Sequence, residues 1–201
     1  MPRALHVVAA LAGLVLAGFA PAVEAIAAPL TPGIYPEPSV AADLIEPLMA
    51  PIVPLLGKPG STTDIAQIGK DNDATSQITG DGNLSLIAQS GRNNHAYQGI
   101  EGTNSALLLV QGGHDNSVIQ AAKGNNDFQF IGVSGHNNQV AYLQDGNNLA
   151  GALDVGDSTN SAVFALQTPQ SGNYLMPVGL HGLKNTVVII VPGRMYVLPR
   201  H

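Results

Sequence analysis

The sequence predicts an all-β fold: a parallel β-solenoid of five 22-residue strand-turn-strand repeats plus a degenerate sixth turn. Three observations carry this. Identical residue types recur at one spacing from Ser61 to Gln167. Within each repeat apolar and polar residues alternate, as on a strand. The glycines and asparagines that interrupt the alternation tolerate φ > 0 and so mark turns.

The chain begins outside that pattern. Arg3 precedes the apolar run Val7–Ala20, then Pro21 and the small-residue sites Val23-Glu-Ala25 and Ala25-Ile-Ala27. A basic start, a short apolar centre and small residues at a cut are the order of a secretory signal peptide. Residues 1–27 are so assigned, with cleavage after Ala25 or Ala27. The run is too short to span a bilayer comfortably, so no membrane insertion of the mature chain is expected. Residues 28–60 form a linker. Eight of the 14 prolines lie between Pro29 and Pro59, and proline's fixed φ and missing N–H exclude a long helix or a central strand. The Leu, Ile and Val residues of this stretch are expected to dock onto the domain that follows, in preference to holding a secretion or assembly partner.

Residues 61–170 are the repeat domain, with blocks starting at Ser61, Asn83, Ser105, Asp127 and Leu149. An apolar column contains Ile65, Ile87, Leu109, Ile131 and Leu153. A glutamine column of Gln67, Gln89 and Gln111 passes into Val133 and Val155. Turn glycines stand at Gly69, Gly91, Gly113 and Gly135, the fifth block slipping to Gly156. An asparagine column reads Asn72, Asn94, Asn116, Asn138 and Asn160, with no insertion needed to keep it. Gly80, Gly102, Gly124 and Gly146 make a second glycine column.

One such block is too small to bury a face. Stacked copies cover each other, with turns about 4.7–4.9 Å apart. An antiparallel meander of ten strands ranks second, because it gives no reason for a two-strand unit to keep its columns. Stacking also explains the amides. A buried Gln or Asn costs free energy unless paired, and in register each can donate to one copy and accept from the next. Residues 171–201 read as a degenerate sixth turn with three extra residues, TVVIIV (Thr186–Val191) as its strand and Pro192 and Pro199 closing the segment.

The pattern Ser-x5-Gln-x-Gly-x2-Asn-x-Ala resembles the repeat of the curlins, subunits of curli amyloid fibres on bacterial surfaces. Ser61…Gln67-Ile-Gly69-Lys-Asp-Asn72-Asp-Ala74 fits throughout, and Ser105…Gln111-Gly-Gly113-His-Asp-Asn116-Ser-Val118 fits with Val for Ala. The resemblance implies export across the outer membrane and polymerisation outside the cell, with roles in adhesion and biofilm matrix. It also implies partners: further copies of the chain or related curlin subunits, and outer-membrane secretion and assembly proteins. The sequence departs from the family in the second glutamine, since Gln77, Gln98, Gln120 and Gln144 keep no single spacing, and in its Pro-rich leader.

No catalytic residue, cofactor or metal site is expected. The chain lacks cysteine, and Asp71, Asp81, Asp115, Asp127 and Asp145 lie mostly at turns without pairing. Gly112-Gly-His-Asp-Asn116 is read as a turn, not a calcium loop, because it lacks a nine-residue recurrence. Lys70, Arg92, His114 and His136 share a column, read as a solvated edge because two stacked histidines rarely suffice for a metal. A net charge of −6 argues against nucleic acid as a partner. The competing reading is a monomeric secreted solenoid that binds a surface or carbohydrate ligand on a flat face. An ice-type face would need outward Thr ladders, and Thr is sparse.

Overall fold

The computed structural model describes residues 59–171 and 179–201. The expected signal peptide, nearly all of the Pro-rich linker, and residues 172–178 of the expected sixth turn lie outside the described residues.

Strands β1 (Thr62–Lys70), β3 (Leu84–Arg92), β5 (Ala106–His114), β7 (Phe128–His136) and β9 (Ala150–Thr159) alternate along the chain with shorter ones. The shorter strands are β2 (Asp73–Thr79), β4 (His95–Glu101), β6 (Ser117–Lys123), β8 (Gln139–Asp145) and β10 (Ala162–Gln167). A 3-10 turn at Pro169–Ser171 precedes β11 (Thr186–Val191) and β12 (Arg194–Pro199). The odd strands pair in the order β1-β3-β5-β7-β9, and the others in the order β12-β11-β10-β8-β6-β4-β2. Every contact is parallel except β11 with β12. The fold is a parallel β-solenoid of about six turns.

Register follows the sequence columns. Ile65 pairs with Ile87, Ile87 with Leu109, Leu109 with Ile131 and Ile131 with Leu153. Ile87, Leu109, Ile131 and Leu153 meet Val118, Val140 and Val163 of the opposite sheet in the interior. Ile65 is 38% exposed because β1 ends its sheet, whereas the other four are essentially dry.

The corners explain the turn residues. At the short corner Asp71, Asn93, Asp115 and Asn137 have φ between 52° and 58°, a left-handed setting that Asn and Asp adopt at low cost. Beside them Gly69, Gly91, Gly113 and Gly135 have φ between 95° and 118°. A Cβ on Gly91 would overlap the carbonyl oxygen of Gly113 in the next turn. The column is glycine because successive backbones stack through the space a side chain would fill.

The fifth turn departs from the expected register. Val133 pairs with Val155, but Gly135 pairs with Ser158, so one additional residue enters at Gly156–Asp157. Asp157, with φ 51°, accommodates the bulge. Asn138 therefore lies beside Ser161, whose N–H donates to Asn138 Oδ1 at 3.2 Å. Asn160 instead stacks on Asn137, whose Nδ2 donates to Asn160 Oδ1 at 3.0 Å, and it shares the left-handed corner with φ 48°. The placement of Asn160 in the interior asparagine column is thus corrected: it belongs to the corner column.

The chain end also differs. Strand β11 stacks on β10 with the three extra residues, Ala162 pairing with Val187. Pro192 and Gly193 do not simply close the segment. They turn the chain back into β12, which pairs antiparallel with β11 from Val191↔Arg194 to Thr186↔Pro199. Pro192 fixes one φ of that turn and Gly193 supplies the other at +72°.

Candidate functional site

The polar interior is built from three amide ladders. In the first, Gln67 Nε2 donates to Gln89 Oε1 at 2.7 Å, and Gln89 Nε2 donates to Gln111 Oε1 at 2.8 Å. Gln111 Nε2 then turns to the His95 carbonyl at 3.4 Å, because Val133 and Val155 follow it in the column.

The second ladder runs through Asn72, Asn94, Asn116 and Asn138. Asn94 Nδ2 donates to Asn72 Oδ1 at 3.1 Å, Asn116 Nδ2 to Asn94 Oδ1 at 3.3 Å, and Asn138 Nδ2 to Asn116 Oδ1 at 3.1 Å. Each Oδ1 also accepts the backbone N–H of the next asparagine. Nδ2 reaches further to the carbonyl of the glycine column, as Asn94 does to Gly113 at 3.0 Å. One side chain thereby closes its own corner and ties it to both neighbours.

The third ladder was not singled out in the sequence. Gln98 Nε2 donates to Gln120 Oε1 at 2.7 Å, and Ser85 Oγ crosses the interior to Gln98 Oε1. Tyr142 occupies the next place in that column. Its hydroxyl donates to Gln167 Oε1 at 2.6 Å, which also accepts from Gln144 Nε2 at 2.9 Å. The irregular spacing of Gln77, Gln98, Gln120 and Gln144 concealed it. Gln98 and Gln120 share a column, Gln77 lies one place aside, and Gln144 pairs in a neighbouring column with Gln167.

One buried group is out of keeping with its column. Asn83 Nδ2 donates to the Gly102 carbonyl at 2.8 Å, and its Oδ1 accepts the Ser105 N–H at 3.0 Å. Two turns on, Asp127 Oδ1 accepts the Leu149 N–H at 2.9 Å, while Oδ2 is buried without a partner. Burial pushes the Asp127 carboxyl from 3.8 to about 6, the Leu149 N–H partly opposing the rise.

The two ends of the stack differ. Strands β1 and β2 terminate their sheets with parallel edges, so half of their backbone N–H and C=O groups meet no strand among the described residues. At the other end β12 is exposed along its whole length, with Met195 at 51% and Val197 at 60%. Residues 180–183 lie along β9, Leu180 N–H donating to the Asp154 carbonyl at 2.7 Å and Gly182 N–H to that of Gly156 at 2.9 Å. His181 Nε2 sits 3.3 Å from Asp154 Oδ2. Burial raises the Asp154 carboxyl above its ordinary value, His181 opposing this and Asp157 adding to it.

The outward face of the seven-stranded sheet carries Thr75, Tyr97, Ile119, Ala141, Phe164 and Ile189 in one line. Ala141 leaves a shallow notch between Ile119 and Phe164. On the edge, Lys70, Arg92, His114 and His136 stack in order. The rings of His114 and His136 are parallel, with centroids 5.0 Å apart. Among the described residues no three His, Cys, Asp or Glu side chains converge on one point.

Comparison of the chain with protein-family models, with curated proteins and with solved structures returned no match.

Proposed function

We propose that this chain is a secreted structural subunit that polymerises end to end into curli-like amyloid fibres, serving surface adhesion and biofilm matrix. The observation that carries the reading is the open edge of β1 and β2. It ends a stack whose successive turns already pair as parallel, in-register strands with continuous amide ladders. Such an edge is a template for another chain. In this reading the amides and glycines are structural parts, and the chain acts as a building element without catalysis, cofactor or metal. Its partners are further copies or related subunits, together with outer-membrane proteins that export it.

The test is incubation of the purified chain without residues 1–27, followed by thioflavin binding, sedimentation, electron microscopy and fibre diffraction. Unbranched fibres with reflections near 4.7 and 10 Å are expected. A chain that stays monomeric for days at high concentration supports instead a binding module. The exposed line of Tyr97, Ile119 and Phe164 is where such a module would take its ligand.

A further inference from the structure

The outward face of the seven-stranded sheet is apolar and open. Ile119 is 47% exposed, Tyr97 38% and Phe164 37%. The two outward positions in the middle of each strand form adjacent columns. The first reads Tyr97, Ile119, Ala141 and Phe164; the second, two residues on, reads Gly99, Ala121, Leu143 and Leu166. Side-chain size swaps between them. Ile119 stands beside Ala121 in β6, and Ala141 beside Leu143 in β8. Ala141 and Ala162 floor a notch walled by Ile119 and Phe164. The face therefore carries a hole and a knob at the same level.

We propose that this face pairs with the same face of a second copy of the chain, about a two-fold axis parallel to the stack and between the two columns. Such an axis keeps each turn level with its counterpart and lays the first column of one copy on the second column of the other. Leu143 of each copy then fills the notch at Ala141 of the other, and Ile119 of each lies over Ala121 of the other. Tyr97 lies over its own Gly99, where a Cβ would come within 3.3 Å of the ring, so the second turn meets its copy ring to ring. Phe164 against Leu166 sets the separation of the sheets, about 10 Å. Interdigitated side chains between facing sheets are how laddered strands keep such an interface dry.

Charge and area point the same way. The axis sets Asp73, His95, Lys123 and Asp145 opposite Thr79, Glu101, Ser117 and Gln139, so His95 meets a carboxylate and no two like charges meet. Moving the axis one column toward the strand starts would lay Gln139 on Ala141 and strand its amide in an apolar contact. Seven strands by about 20 Å of strand length give about 650 Å² per copy and about 1,300 Å² for the pair, within the range of specific interfaces.

The pairing is separate from end-to-end growth, and one reporter tells them apart. The chain has no cysteine, so Ala121→Cys in the full chain is a single site. Across the axis its two copies lie about 12 Å apart, within reach of a short bis-maleimide, whereas end-to-end neighbours lie about 30 Å apart. Ser90→Cys, exposed on the other sheet, is the control. Cross-linked dimer should exceed that control at least about tenfold at equal protein concentration. In the Ala121→Cys background, Ala141→Leu puts two side chains in one place and should cut the dimer at least about tenfold. Leu143→Ala, which empties the notch, should do likewise. The combined Ala141→Leu/Leu143→Ala variant again sets one large residue against one small and should recover the dimer to within about threefold of the parent. Retained β-type circular dichroism qualifies each variant. No cross-link above the Ser90→Cys control overturns the proposal, as does an Ala141→Leu variant that pairs as well as its parent. Fibres without the cross-link sink the pairing and leave end-to-end growth standing; the cross-link without fibres does the reverse.

Discussion

Replacing Asp127 by Asn should stabilise the protein at neutral and alkaline pH. In its column Asn83 donates to the Gly102 carbonyl and accepts the Ser105 N–H. Asp127 repeats the acceptance, from Leu149, but puts a second oxygen where the amide's donor belongs. By the repeat, that oxygen faces the Gly146 carbonyl. The carboxyl is raised from 3.8 to about 6 by burial, so the protonated form is the one the fold prefers. With the folded value above the unfolded one, the contribution is fully present below 3.8 and is lost as pH rises through about 6. A shift of that size corresponds to about 3 kcal/mol. Asp127→Asn should recover about 1–3 kcal/mol at pH 8, supply the donor to Gly146, and match the wild type near pH 3.5. Denaturant unfolding followed by circular dichroism at pH 3.5, 6 and 8 measures this. A variant less stable than wild type at pH 8 would refute the reasoning, as would identical pH profiles for the two proteins.

Other substitutions probe the remaining parts. Gln89→Ala strands the buried Oε1 of Gln111 and should cost about 1–3 kcal/mol for the unpaired amide, beyond the cavity it leaves. Val133→Ala, later in the same column, should cost about 1 kcal/mol, and a larger loss there than at Gln89 would contradict the ladder. Gly91→Ala combines a φ of 116° with overlap on the Gly113 carbonyl, so about 3 kcal/mol or more is expected, or failure to fold. Gly182→Ala, with open space around it, should cost about 1 kcal/mol. Thermal melts of the two variants separate backbone stacking from φ strain alone. His181→Ala removes a half-exposed partner of Asp154, so global stability should fall by less than about 1 kcal/mol. Hydrogen exchange at Leu180 and Gly182 should quicken while Asn94 and Asn116 stay protected; unchanged exchange at both would show that the His181–Asp154 contact does not hold the loop.

Much of the architecture was legible because a solenoid writes its third dimension into one period. Residues 22 apart touch, so the Ile, Gln, Gly and Asn columns can be placed from the sequence alone. Asn160 misled for the same reason. It stands one period from Asn138, but an extra residue at Gly156–Asp157 moved it to the corner. The slip of the fifth glycine to 156 was the visible trace of that bulge, and the matching asparagine masked it. Strand β12 was signalled by Pro192-Gly193 between two apolar runs, a turn dipeptide read only as a terminus. Burial of Asp127 left no comparable trace, because an acidic residue in a turn is ordinarily solvated. Only the hydroxyl and amide side chains of Ser61, Asn83 and Ser105 above it mark that column as interior.

The reversed strand β12 bears on how a fibre of such subunits would break. Inside one copy, each turn is joined to the next by two rows of backbone bonds and by side-chain ladders. At a junction, β12 runs opposite to β11 and offers Met195 and Val197 to the β2 edge, with no side-chain amide of its own to continue a ladder. A filament would then be a series of stiff blocks roughly 30 Å long, separated by seams that carry backbone bonds and apolar contact alone. Shear would part it at the seams and leave the blocks whole. Each fracture would create one new β1–β2 face and one new β12 face, so an agitated sample would gain growing tips in proportion to the filament already formed.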